Sequence, residues 1–249
     1  MEYVLITGGT SGIGYELARC FARDGYAIVI VGSKEAKLEK AKESLLKEYS
    51  VPIIAYEQDL SQVGSAKSLY DKLIRDQIPI SILVNNAGFG LIGPTDKLDL
   101  HQDEKMMYLN MITLVDLCKL FLEDMYKKGR GKILNVSSSG AFQPGPYTST
   151  YFASKSFVLS YSRAIRCEAK KYGVQVVTLC PGTTKTNFFK RAGVKTPRWA
   201  MLPEKVASCG YIGLMRNKAI IVPGVMNKVL RYIPTNIKMH FVGKIKEKV

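Results

Sequence analysis

Three observations predict an α/β protein, three layers deep, built on a doubly wound parallel sheet with helices on both faces. Short β-branched runs recur along the chain, each followed by a stretch of helical periodicity. The first run feeds a glycine-rich turn, and no repeat, linker or low-complexity tract interrupts the rhythm. Strands that alternate with helices pair in parallel, because each crossover returns the chain to the same edge of the sheet. The rhythm implies about seven strands, and beyond Gly224 it gives way to a C-terminal helical extension.

Composition sets the outer bounds. At 249 residues, 47% hydrophobic and 23% charged, the chain suits one core, expected over residues 1–224, with the extension over 225–249. Its five cysteines show no CxxC spacing, and a strand begins almost at Met1. Both features suggest reduced thiols, no signal peptide and a cytoplasmic setting. The net charge of +15 invites a nucleic-acid reading, but no recognition helix or aromatic platform accompanies it. About a third of that excess lies between Lys228 and Val249, where Glu247 is the one acidic residue.

Glu2 to Thr7 reads as a buried strand leading into TGGTSGIG, Thr7 to Gly14. A strand, a glycine turn and a helix N-terminus together present free N–H groups and a positive dipole end to a phosphate. Gly8 permits the tight turn, Gly12 lets the backbone approach a pyrophosphate, and Gly14 lets helix and strand pack closely. Ala27 to Val31 is the second strand and ends in Gly32, Ser33 and Lys34. No carboxylate stands there to accept from a ribose hydroxyl, and Lys34 suits a 2′-phosphate, so NADP(H) is preferred over NAD(H). Alternatively, Lys34 merely opens the solvated helix from Lys34 to Tyr49.

Ile53 to Tyr56 is the third strand, followed by a helix from about Gln62 to Arg75. Ser81 to Val84 is the fourth, ending in Asn85, Asn86, Ala87 and Gly88. Small and amide side chains there suit a backbone crossing beneath a flat cofactor. A long helix, His101 to Lys127, carries Asn110 in its interior, an unfavourable place unless the residue faces water or does a job. Lys132 to Val136 is the fifth strand and delivers Ser137, Ser138 and Ser139 at the edge where open α/β sheets bind ligands. A helix from Thr150 to Tyr172, a strand from Val174 to Leu179 and a last strand from Ala219 to Val222 complete the pattern.

In that helix Tyr151 and Lys155 stand four residues apart and share a face. A cation beside a phenol favours the phenolate and lowers its pKa toward a range useful for general acid/base work. Residues 187–202 form a loop or short helix with Phe188, Phe189, Trp199 and Met201, suited to an apolar substrate pocket or to plain packing. The two histidines, His101 and His240, lie far from every motif, and no metal site is expected.

With TGGTSGIG, NNAG, Asn110, Ser138 and YFASK in family order and spacing, the chain resembles the short-chain dehydrogenase/reductase family from about Tyr3 to Thr186. The resemblance implies a Rossmann fold and a catalytic tetrad of Asn110, Ser138, Tyr151 and Lys155. Tyr151 would be the general acid and base, and Lys155 would hold the nicotinamide ribose and depress the tyrosine pKa. Ser138 would bind the substrate oxygen, and Asn110 a water that relays protons to Lys155. For the cofactor it implies Ser11, Gly12, Ile13 and Gly14 at the pyrophosphate, and Asp59 and Leu60 beside the adenine. Asn86 would underlie the adenine-side ribose region, and Pro181, Gly182 and Thr184 would contact the carboxamide.

Two departures stand out. Ser11 occupies a place in the glycine turn where NADP-type members often carry a cation, which leaves Ser33 and Lys34 to read the phosphate. The chain also continues past Gly224, where many tetrameric members end. There Met226, Leu230, Ile233, Ile237, Phe241 and Ile245 recur at helical spacing among lysines, broken at Pro234. That pattern suits an anionic membrane surface, a partner, or packing on the chain's own domain. A homo-oligomer, with a dimer favoured, is the expected assembly.

The segment Ile133 to Val176 is similar to the branch containing 17β-hydroxysteroid and 3-ketoacyl-CoA reductases. An apolar ketone or secondary alcohol, such as a hydroxysteroid, bile acid or 3-ketoacyl chain, is the expected substrate. The alternatives are a reductase of small polar or sugar ketones and a catalytically silent nucleotide-binding scaffold.

Overall fold

A computed structural model describes residues 2–246. Seven parallel strands form one sheet in the order β3-β2-β1-β4-β5-β6-β7. They are β1 (Tyr3–Thr7), β2 (Ala27–Gly32), β3 (Ile53–Glu57), β4 (Ile80–Asn85), β5 (Gly131–Val136), β6 (Val174–Leu179) and β7 (Ile220–Ile221). The central strands are largely apolar because both faces are covered, whereas the edge strand β3 is only partly buried. In β1 and β2, Val4, Ile6, Ile28 and Ile30 face one core, while Leu5, Val29 and Val31 face the other, as the two-residue period of a strand requires.

The first core is closed by α1 (Gly12–Arg23), α2 (Glu35–Glu48) and α8 (Pro203–Met215) through Leu17, Phe21, Leu38, Leu45, Val206 and Leu214. The second is closed by α3 (Ser65–Arg75), α5 (Thr113–Lys128) and α6 (Ser149–Ala169) through Leu69, Leu73, Leu117, Phe121, Val158 and Ile165. Helix α8 was not anticipated. Its signals are Pro203 in the first turn and Val206, Ala207, Gly210, Tyr211 and Leu214 at helical spacing. The order of strands reverses between β1 and β4, so a crevice opens at their C-terminal ends, where such sheets take ligands.

The long helix expected from His101 to Lys127 runs unbroken from Leu100 to Lys128, but not as α-helix throughout. It comprises α4 (Leu100–Met107), a π-helical turn at Tyr108–Ile112, and α5. Asn110 lies in the wide turn. Past β6 come α7 (Asn187–Arg191), α9 (Val225–Leu230) and α10 (Thr235–Lys246).

The tail departs from its expected apolar stripe. Met226 and Ile237 are exposed, whereas Lys238 is buried. The helical run breaks off between Leu230 and Thr235, so the apolar spacing does not continue as one stripe through both helices. The side chains of Leu230, His240, Phe241 and Ile245 lie outside the described residues, as do Glu247 and Lys248. Among the described residues no helix is long and apolar enough to cross a membrane.

Candidate active site

The crevice is a cavity of about 2080 Å³ running from the glycine turn to the tail. At one end α1 begins with no side-chain cap at Ser11 and no acidic residue in its first turn. The backbone donors of Gly12, Ile13 and Gly14 therefore lack intrahelical partners. The glycines fit the roles expected of them. Gly8 and Gly12 have φ of 65° and 58°. A Cβ on Gly14 would stand 2.4 Å from the Gly8 carbonyl oxygen and 2.4 Å from Nδ2 of Asn86. Such a turn, with open donors and a bare backbone, fits the pyrophosphate of a dinucleotide.

Asn86 acts on the turn itself: its amide donates to the carbonyls of Thr7 at 2.9 Å and Gly8 at 3.2 Å. Ser33 and Lys34 are exposed at the cavity edge, with Lys37 beside them. Asp59 accepts from the Ser61 backbone at 3.0 Å, the Ser61 hydroxyl at 2.7 Å and the Gln62 amide at 3.2 Å. Burial pushes its carboxyl up, but those bonds outweigh it and hold the group below its ordinary value. Leu60 is buried, and its carbonyl accepts from Thr113 at 2.6 Å.

The sheet edge positions Ser138. Ser137 and Ser139 donate through backbone N–H groups to Leu179 and Pro181, each at 2.7 Å, and fix the segment between them. The Ser138 hydroxyl accepts from Gly140 at 3.0 Å, capping the 3₁₀ turn Ser139–Phe142, and it lies near enough to the Tyr151 phenol to lower that group's pKa. The Ser137 hydroxyl donates to the Lys155 carbonyl at 2.7 Å, tying α6 to β5.

Lys155 is 5% exposed, and its ammonium donates to the Val136 carbonyl at 3.0 Å, 5.9 Å from the centre of the Tyr151 ring. Asn110 is buried and clamps Phe89: Oδ1 accepts from its N–H at 3.2 Å, and Nδ2 donates to its carbonyl at 2.9 Å and to Ser154 at 3.1 Å. A Cβ on Gly88 would meet Asn110 Oδ1 at 2.8 Å and Lys155 Nζ at 3.3 Å. The two side chains thus converge on one bare stretch of backbone.

One expectation is overturned. The Tyr151 phenol is pushed up to about 12, not lowered: burial dominates, and the nearby Ser138 hydroxyl only partly offsets it. Lys155 is pushed down to about 8 by its own burial. A desolvated ammonium turned toward a carbonyl and nearly 6 Å from the ring gives the phenolate little support.

At the other end α7 covers the tyrosine. Phe188 packs at 5.1 Å from the Tyr151 ring, and a Cβ on Gly90 would touch both rings. Phe189, Trp199 and Met201 border the same space. Pro181 and Thr184 are buried beneath it, and Thr184 donates to the Gly182 carbonyl at 2.9 Å. Asn227 of α9 packs on Gly182, where a Cβ would come within 2.3 Å of it.

The sequence reading passed over Arg191, whose guanidinium stacks 3.8 Å above the Phe89 ring, and also Asn227 and Lys238. Only the lack of acidic residues in residues 187–202 and 225–246 hinted at them. No cluster of three or more His, Cys, Asp or Glu among the described residues could hold a metal.

A model of the short chain dehydrogenase family matches residues 2–196. The chain belongs to that family and is an oxidoreductase of a nicotinamide-binding class. Over 257 aligned residues it is 27% identical to a very-long-chain 3-oxoacyl-CoA reductase of Anas platyrhynchos, covering 99% of this chain and 80% of the relative. It is 32% identical to sulfoacetaldehyde reductase 2 of Chromohalobacter salexigens, over 75% of this chain and 74% of the relative. A short-chain dehydrogenase from Sphingobium yanoikuyae, solved in complex with NADPH, superposes with a TM-score of 0.85 at 30% identity, covering 90% and 88% of the two chains.

Proposed function

We propose that the chain interconverts a ketone and a secondary alcohol with NADP(H), using Tyr151 as general acid and base. The observation that carries this reading is that Ser138 at the sheet edge, Tyr151 and buried Lys155 line the same cavity as the glycine cradle. A nicotinamide held along the glycine cradle would supply or accept the hydride. Tyr151 gives its phenolic proton to the carbonyl oxygen during reduction and takes it back during oxidation. Ser138 holds that oxygen by hydrogen bonding. Lys155 binds the ribose hydroxyls and returns a proton to the phenolate, while Asn110 steadies the Phe89 backbone and the Ser154 hydroxyl beside it. A phenol pushed up to about 12 is protonated near neutral pH, so the proton that reduction consumes is in place before the carbonyl binds.

Ser11 to Gly14 hold the pyrophosphate, Asp59 and Leu60 flank the adenine, Asn86, Ala87 and Gly88 underlie the cofactor, and Pro181, Gly182 and Thr184 face the carboxamide. Lys34 with Ser33 reads the 2′-phosphate; the absence of a carboxylate at the end of β2 and the NADPH-bound relative support that choice. Phe188, Phe189, Trp199 and Met201 favour a substrate with an apolar body, in line with the oxoacyl-CoA reductase relative.

Replacing Tyr151 by Phe tests the assignment. Turnover of a ketone panel, followed by loss of NADPH absorbance, falls by about 10²- to 10⁴-fold, while NADPH still binds. Undiminished turnover overturns it.

A further inference from the structure

The reaction leaves one buried charge without a task. Lys238 on α10 is 7% exposed and borders the cavity that contains Ser138 and Tyr151. Its ammonium donates to the Phe142 carbonyl at 3.1 Å. Burial holds its pKa below the ordinary value, and among the described residues no charge counters that. An ammonium has three donors, and the Phe142 carbonyl engages one of them, which leaves two turned toward the cavity rim for a ligand's oxygens.

The surroundings point the same way. Arg231 stacks 4.9 Å from the Phe142 ring, and its charge lowers the Cys180 thiol pKa at the base of the site, against the larger upward push of burial. The two segments that enclose this end of the cavity, 187–202 and 225–246, contain basic residues and no Asp or Glu.

We infer that Lys238 is a specificity residue that binds an oxyanion carried by the substrate, so the substrate is an apolar ketone or alcohol with an anionic group at its far end. The inference rests on the ketone-reducing reading above. Phe142 ends the 3₁₀ turn that Ser138 caps. Carboxylates and the phosphates of an acyl-CoA share the required chemistry.

The test uses the full chain with NADPH and matched probes: 4-acetylbenzoate and a 3-oxo-cholanoate, each beside its methyl ester, and a 3-oxoacyl-CoA. In the wild type the acid or the CoA ester is preferred to the neutral ester in kcat/KM by about tenfold or more. In Lys238→Met that preference collapses through KM, and in Lys238→Arg it returns. The charged arm that loses most identifies the oxyanion. A wild type indifferent to charge, or a Lys238→Met variant that keeps the preference, overturns the inference and leaves ketone reduction standing. Calorimetric binding of the same probes to Tyr151→Phe decides the matter without turnover. There, tighter binding of the charged probe than of its ester supports the inference, and equal binding overturns it. A wild type that reduces no probe counts against the ketone-reducing reading, while the binding result still decides the anion site.

Discussion

The two ends of the cavity are built in different ways. At the glycine turn the shape is set by backbone packed against backbone: Gly14 sits 2.4 Å, by Cβ position, from the Gly8 carbonyl, and Asn86 staples that carbonyl in place. At the far end the walls are side chains on short helices, and Trp199, Val225 and Met226 remain largely exposed. A wall of backbone tolerates almost no change in shape, whereas a wall of exposed side chains can be altered with little cost in stability. The first end can serve one ligand; the second can be retuned from substrate to substrate.

Substitutions can break that contrast. Gly14→Ala is expected to cost about 3 kcal/mol, because its methyl group meets a carbonyl oxygen that cannot move. Denaturant unfolding measures this, and NADPH affinity falls with it.

Lys155→Met lies between the two ends and sharpens the comparison by opposing stability to function. The folded chain depresses this ammonium from 10.5 to about 8, so below pH 8 the penalty for burying the charge is fully present. As pH rises from 8 to 10.5 the folded chain sheds the proton before the unfolded chain does, and the penalty fades. The variant is therefore expected to be more stable than wild type at pH 7 by on the order of 3 kcal/mol, to lose that advantage by pH 10.5, and to be inactive throughout. Thermal melts across that range check the sign.

Lys34→Ala is expected to weaken NADPH by about tenfold and NADH scarcely at all, since a charge-assisted bond to one phosphate is removed. Lys37 borders the same end and limits the loss. Equal losses for both cofactors would remove the phosphate role. Trp199→Ala, at a residue 73% exposed, is expected to change stability by less than about 0.5 kcal/mol while raising KM for apolar ketones a few-fold.

The same contrast governs what the sequence made legible. All seven strands could be read, because β-branched runs buried on both faces leave no other arrangement. Gly8, Gly12 and Gly14 were readable because each is required by backbone geometry that residue type reveals. The direction of the Tyr151 shift was not. Spacing places Lys155 beside the phenol, but only coordinates show the ammonium turned to Val136 and the ring desolvated. Lys238 was misjudged for a related reason. A helical stripe assigns lysines to water, and nothing local signals that one of them, past the break before Thr235, lies buried.

The π turn at Tyr108–Ile112 also sets a rule for how this family member can change length. The wide turn absorbs one surplus amino acid, so α4 and α5 keep their phase on either side of it. Deleting a single position there would close the turn to ordinary α geometry with both helices still seated, and the loss would fall on Asn110, whose hold on Phe89 depends on the bulge. Indels that are harmless in the loop ahead of α4 should be purged from these five positions.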